Sequence, residues 1–291
     1  MPNGLNSCLR AATAGRWAIP HFNVSNLEQL RAVVDAAAEL KAPVMIGTSE
    51  HEREIFTPEA AAAIVAAYEE KFCVPLFLNA DHTHSVGLAK AAVDAGYPSI
   101  HIDLSKLPFD QNVKGTAEAV RYARKKGRNV SVEGELGTLP TDSSTVIKGK
   151  VKIDRSAFTS PEQALEYCHK TGIDRLAPSV GNYHGISAST KKELDFRLIA
   201  ELRAKLRKNV ALVLHGGSGS GDAAFKKAIA AGIANIHIST ELRIAFTSAL
   251  RQAMKQMPDE VVPYKLTESA REAVKEKAKH YIKLFGAAGK A

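Results

Sequence analysis

Val210-Ala211-Leu212-Val213-Leu214-His215-Gly216-Gly217-Ser218-Gly219 is a short apolar run that ends in a histidine and passes straight into glycine. A run of this length and composition reads as a strand buried on both faces, and the glycines read as the tight turn that leaves it. Ala-rich sequence with helical spacing follows at 223–231, and a second apolar run lies at 235–238. Strand, turn, helix and strand in that order make a parallel unit, because parallel neighbours need a long crossover.

Toward the amino terminus the unit repeats. Apolar runs fall at 17–23, 44–47, 75–80, 99–103, 129–133 and 175–177, which with 210–215 and 235–238 makes eight. Helical patterns separate them at 27–40, 58–71, 86–95, 113–126, 161–171 and 196–206, and Gly96, Gly127, Gly172 and Gly232 stand where helix C-caps are expected. Two more helices, 240–256 and 268–285, follow the last strand. Eight such units predict a (β/α)8 TIM barrel with extra C-terminal helices. No linker rich in Pro, Gly or Ser divides the chain, so 1–291 is expected to be a single domain.

Composition narrows the function. With 45% apolar and 24% charged residues the chain is an ordinary globular one, and no apolar run approaches the length of a membrane span. The start carries no basic flank followed by an apolar segment, and three scattered cysteines, Cys8, Cys73 and Cys168, make neither a disulfide framework nor a CxxC site. Both features point to a cytoplasmic protein. A formal charge of +8 favours anionic partners. The basic stretches 121–128 and 203–208 hold a single aromatic, Tyr122, and no repeated interleaving, so phosphorylated metabolites are expected and nucleic acid is not.

Catalytic groups of such barrels sit at the carboxyl ends of the strands. Here those ends read Asn79-Ala80-Asp81-His82, His101-Ile102-Asp103, Ser131-Val132-Glu133, Leu214-His215 and His237-Ile238-Ser239-Thr240. Alternation along a strand puts His101 with Asp103, and Asn235 with His237 and Ser239, on the face toward the barrel mouth. Polar groups buried there without partners would cost roughly 1–3 kcal/mol each, a cost that a shared metal ion removes. The glycines after His215 and the helix start at Ser239-Thr240 offer backbone amides and hydroxyls to a phosphate. Spacing alone does not choose ligands among ten histidines.

These segments resemble the class II aldolase family, which includes fructose-bisphosphate and tagatose-bisphosphate aldolases. The likeness runs through Ala18-Ile19-Pro20-His21-Phe22-Asn23-Val24, Asn79-Ala80-Asp81-His82, Ile102-Asp103-Leu104-Ser105, Val132-Glu133-Gly134-Glu135, Val180-Gly181-Asn182-Tyr183-His184-Gly185, His215-Gly216-Gly217-Ser218-Gly219 and Ser239-Thr240-Glu241-Leu242. It implies a glycolytic or gluconeogenic lyase that cleaves fructose 1,6-bisphosphate reversibly to dihydroxyacetone phosphate and glyceraldehyde 3-phosphate. Tagatose 1,6-bisphosphate, or another ketose phosphate, is the alternative substrate. A non-catalytic sugar-phosphate binding protein is the alternative from another class.

By the same resemblance His82, His184 and His215 bind Zn²⁺, replaceable by Co²⁺ or Fe²⁺, and Asp81 is the acid/base. Glu133 matches an alternative metal position, and Asp103 a polar residue behind the ligands. Asn23, Gly181, Gly185, Gly216, Gly217, Ser218, Ser239 and Thr240 fall among the substrate contacts, with a Na⁺ or K⁺ ion beside the phosphate. Ser49, with Arg53, matches the second phosphate contact. Two departures stand out: His237 replaces the family's Asn, and the loop at 139–145 lacks its Gly-Gly and catalytic Glu, leaving Asp142 as the nearest carboxylate. The resemblance further implies a homodimer or homotetramer.

Overall fold

The computed structural model describes residues 4–126, 129–141 and 145–291. Eight parallel strands close into a barrel: β1 (Ile19–Asn23), β2 (Val44–Thr48), β3 (Leu76–Thr83), β4 (Ser99–Ile102), β5 (Ser131–Leu136), β6 (Arg175–Pro178), β7 (Ala211–Leu214) and β8 (Ile233–Ile238). Their order around the barrel is the order in the chain, and β8 closes on β1 through Ile19↔Asn235 to Phe22↔Ile238. Outward side chains such as Ile100, Ile102, Leu176, Leu212, Ile236 and Ile238 are buried beneath the surrounding helices, which is why these strands carry no exposed polar face.

The helical ring follows the expected spacing. The helix at Pro161–Thr171 has Pro at its first turn, a Ser160 cap that accepts from the Gln163 amide at 3.1 Å, and Gly172 at φ 72° to end it. Gly127 lies outside the described residues. The helix after β8, Thr240–Gln256, has the expected bounds, whereas the last one starts earlier, at Pro263, and runs to Leu284. That last helix packs against Thr240–Gln256 and against Leu27–Glu39. Two helices went unread. Leu5–Gly15 packs on β7 and β8, and Glu50–Phe56 follows β2 behind a Ser49/Glu52 capping box whose S-x-x-E signature stands in the sequence. Among the described residues no helix is long and apolar enough to cross a membrane.

Register decides what meets inside. His101 stands opposite Glu133, and Glu133 opposite Arg175, so one row of inward side chains carries all three. His21 stands between Met45 and His237 in another row. At β3 the pairing with β4 slips between Ala80 and Thr83, and His82 takes φ 39°. In a regular strand Asp81 and His82 would face opposite ways. The bulge turns both toward the mouth, and holding a histidine at positive φ costs about 1–3 kcal/mol.

Candidate metal centre and anion cradle

Four imidazoles gather at the carboxyl end of the barrel. The His82 ring centroid lies 4.8 Å from His184, 4.7 Å from His215 and 4.6 Å from His101, and His184 lies 6.1 Å from His215. Three rings on one tetrahedral zinc, each nitrogen at about 2.0–2.1 Å, would stand roughly 5 Å apart. Of the three histidines singled out by resemblance, His82 in β3 and His215 just after β7 come together with Asp81 and His101, and His184, in the loop after β6, stands beside His82.

Their hydrogen bonds assign the tautomers. His82 Nδ1 is 2.8 Å from Asp103 Oδ2, and His215 Nε2 is 2.6 Å from Glu133 Oε1. Carboxylates only accept here, so those nitrogens carry the protons. The remaining nitrogens, His82 Nε2 and His215 Nδ1, face each other at 3.1 Å. With both rings neutral, as metal binding requires, two lone pairs at that distance repel, while two ligands of one tetrahedral zinc stand about 3.3 Å apart. His184 Nε2 is enclosed and has no hydrogen-bond partner. The donor set thus fits a divalent cation, with the carboxylate-behind-histidine arrangement that orients metal ligands.

Electrostatics agree for two of these three histidines. Enclosure and the neighbouring His82 pull His184 down to about 3, and burial with His101 and His82 holds His215 well below the usual range, so both stay neutral as metal binding requires. His82 is raised: burial lowers it, but Asp81 and Asp103 outweigh that. His101, absent from the expected ligands, has donor atoms within 4.8 Å of those of Asp81, His82 and His215. Its two nitrogens lie 3.6 Å from Asp81 Oδ1 and 3.3 Å from Glu135 Oε2. Those carboxylates, with Glu133, overcome burial and raise it well above an ordinary histidine, while its Nδ1 also accepts from the His82 amide at 3.2 Å.

Asp81 is held from two sides. Asn23 Nδ2 donates to its Oδ2 at 2.9 Å, and Oδ1 lies 3.3 Å from His237 Nδ1. Burial pushes the carboxyl up, but His82 and His237 keep it well below the usual carboxylate range. His237 stacks on His21 with centroids 3.5 Å apart, and burial with His215 pulls it down to about 3. Asn235 Nδ2 donates to Ile19 O, so its Oδ1 accepts from His237 Nε2 at 3.2 Å. His237 Nδ1 is then a lone pair facing an ionised carboxylate, a contact that waits for a proton between them.

A small open cavity adjoins these groups, and Asn23, Ser49, Gly185, Gly216, Gly217, Ser218, His237, Ser239 and Thr240 line it with Asp81, His82, His184 and His215. Gly216 sits at φ 60°, where a Cβ would come 2.2 Å from Tyr183 O, so the chain leaves β7 there only as glycine. Gly217 is not an amide donor to a ligand: its N–H is spent on His237 O at 3.2 Å. Gly181 stands off the cavity wall. Glu133 has both oxygens engaged, the second 2.8 Å from Arg175 Nη1.

Arg53 differs from expectation. Its guanidinium turns inward to donate to Thr48 O, Asp81 O and Thr83 Oγ1, pinning the ends of β2 and β3, and does not line the cavity. Arg243, which lacked any motif, lines it instead and donates to Glu52. Lys192 was also unread: its ammonium is buried against three backbone carbonyls, those of Gly185, Gly216 and Ser218. A lone lysine in a loop gives no periodic signal. Asp142 lies outside the described residues.

A closed parallel barrel with a buried histidine–carboxylate cluster beside a cavity at its carboxyl end has the architecture of a metal-dependent barrel enzyme. The family model for class-II fructose-bisphosphate aldolase matches residues 3–290. The fructose-bisphosphate aldolase of Geobacillus stearothermophilus is 35% identical over 290 residues, covering 99% of this chain and 98% of that one. The crystal structure of the YdjI aldolase from Escherichia coli K12 superposes with a TM-score of 0.84 at 35% identity, covering 100% of both chains. A putative fructose-1,6-bisphosphate aldolase from Coccidioides immitis gives 0.82 at 25%, covering 97% of this chain and 96% of that one. This chain belongs to the class II fructose-bisphosphate aldolases, a metal-dependent family of carbon–carbon lyases.

Proposed function

We propose that this chain cleaves fructose 1,6-bisphosphate reversibly into dihydroxyacetone phosphate and glyceraldehyde 3-phosphate, acting as a cytoplasmic homo-oligomer. The observation that carries the reading is the pair of facing nitrogens, His82 Nε2 and His215 Nδ1, 3.1 Å apart beside Asp81. His82, His184 and His215 would hold zinc. When bound, the ion supplies Lewis-acid polarisation of the substrate's carbonyl oxygen.

The chain's own groups do the rest. Gly185, Gly216, Ser218, Ser239 and Thr240 seat the phosphate of the dihydroxyacetone half at the cavity wall. Asp81 Oδ1 takes the proton of the hydroxyl next to the breaking bond and returns it in synthesis, with Asn23 fixing the carboxylate through Oδ2. His237 offers its Nδ1 to the same proton. As the carbon–carbon bond breaks, its electron pair moves toward the ketone oxygen. The carbon left behind needs a proton from a second group, for which Asp142 is the nearest carboxylate in the sequence.

A second reading, a ketose phosphate with no phosphate at its far end, is favoured by one observation. Arg53 is committed to the interior, and the lysine and arginine complement of the outer groove is Lys106 and Arg243, the latter paired with Glu52.

Zinc-loaded protein is expected to cleave fructose 1,6-bisphosphate and to lose turnover in a chelator. Activity on fructose 1-phosphate exceeding that on both fructose and tagatose 1,6-bisphosphate transfers the assignment to the second reading. Inactivity on all three, with zinc bound, overturns both.

A further inference from the structure

Lys192 lies between the short strand Ile186–Ser187 and the helix Phe196–Lys205, and only 8% of it is exposed. Its Nζ donates to Gly185 O at 2.8 Å, to Gly216 O at 2.6 Å and to Ser218 O. An ammonium has three protons and no lone pair, so three carbonyls satisfy it completely. A neutral amine would leave one carbonyl bare, so the trio favours the charged form, against burial that pulls Lys192 down to about 7. The ring of Tyr183 closes the remaining side, its centroid 4.5 Å from Nζ, and Tyr183 Oη donates to Thr190 O at 2.6 Å, tying the lysine's own loop to the cluster.

The three carbonyls come from the two loops that frame the site. Gly185 follows His184, Gly216 follows His215, and Ser218 lines the cavity and accepts from the Glu241 amide at 3.4 Å. Converging backbone carbonyls are the ligands with which proteins strip and hold a bare monovalent cation. Here the same cage is filled by a side chain, so the Na⁺ or K⁺ ion that the family resemblance implies does not fit.

We propose that the Lys192 ammonium is a built-in replacement for a monovalent cation: it locks the His184 and His215 loops together and places a positive charge behind the phosphate cradle. It is a positioning residue, touching the cradle from behind. The inference rests on the reading of that cradle as a phosphate site.

The test is binding of dihydroxyacetone phosphate to zinc-loaded protein by calorimetry, in choline chloride and in potassium chloride at equal ionic strength. The parent protein is expected to bind equally in both. Lys192→Ala, which empties the cage, is expected to bind roughly tenfold more weakly in choline and to recover in potassium or ammonium chloride. Lys192→Met, which fills the space without charge, is expected to lose affinity in every salt. A parent protein that needs potassium overturns the proposal without recourse to any variant. A Lys192→Ala protein that folds, is weakened and gains nothing from any monovalent cation also overturns it. Absence of binding to the parent in both salts overturns the phosphate reading itself, a different result from a dependence on potassium.

Discussion

Two polar layers lie inside this barrel, one above the other, and they are built on opposite plans. The lower layer centres on Arg175, fully buried, which reaches Glu133 Oε2 at 2.8 Å, Asn79 Oδ1 at 3.2 Å and Ser99 Oγ at 2.5 Å. Asn79 Nδ2 in turn meets His21 Nε2 at 3.0 Å, and Ser99 Oγ bonds Asn79 Oδ1 at 2.6 Å. The upper layer, of His82, His184, His215, His237 and Asp81, leaves Asp81 Oδ1, His184 Nε2 and His237 Nδ1 without hydrogen bonds. The lower layer is more fully paired within itself, with Arg175 Nε and His21 Nδ1 left over and Glu133 Oε2 held by its ion pair alone, and it serves the fold. The upper layer is completed only by what binds to it. Glu133 belongs to both, carrying Arg175 on one oxygen and His215 on the other.

That division can be broken experimentally. The largest effect is expected in the upper layer: Asp81→Asn should lower turnover by roughly 10²–10⁴-fold, since it removes the group assigned to proton transfer. Zinc content measured by atomic absorption should stay unchanged, and unaltered turnover removes Asp81 from its role. In the lower layer, Arg175→Met strips the partner from the buried Glu133 and should destabilise the fold by about 3–5 kcal/mol. Chemical denaturation reads this directly, and a loss below about 1 kcal/mol would mean the pair contributes little to stability. The smallest effect lies between the layers and the metal. Asp103→Asn, which weakens the hold on His82 Nδ1, should reduce zinc affinity by about 10–100-fold while leaving denaturation little changed. An unaffected affinity would show that the bulge at His82 orients the ring without help.

How much of this was legible follows from the range of each force. Strand and helix positions were readable because burial on a barrel imposes local periods of hydrophobicity, and the helix after β8 even has its expected bounds at Thr240–Gln256. The helix Glu50–Phe56 was passed over because seven residues carry too little periodicity, although its capping box was present. The grouping of His82, His184 and His215 was reached through family resemblance rather than pattern, because they come from three separate segments and nothing in their spacing links them.

The sequence by itself determined the alternation of buried strands and capped helices, hence the barrel, and it placed the polar residues at the strand ends where chemistry is done. Only the tertiary structure decided which of those residues share a point in space. Register put Glu133 between His101 and Arg175, a bulge turned Asp81 and His82 to the same side, Arg53 was drawn inward, and Lys192 came to rest on carbonyls from two loops. Hydrophobic periodicity acts between residues a few positions apart, whereas a hydrogen bond or an ion pair is settled by distances of about 3 Å between groups that the chain keeps far apart until it closes.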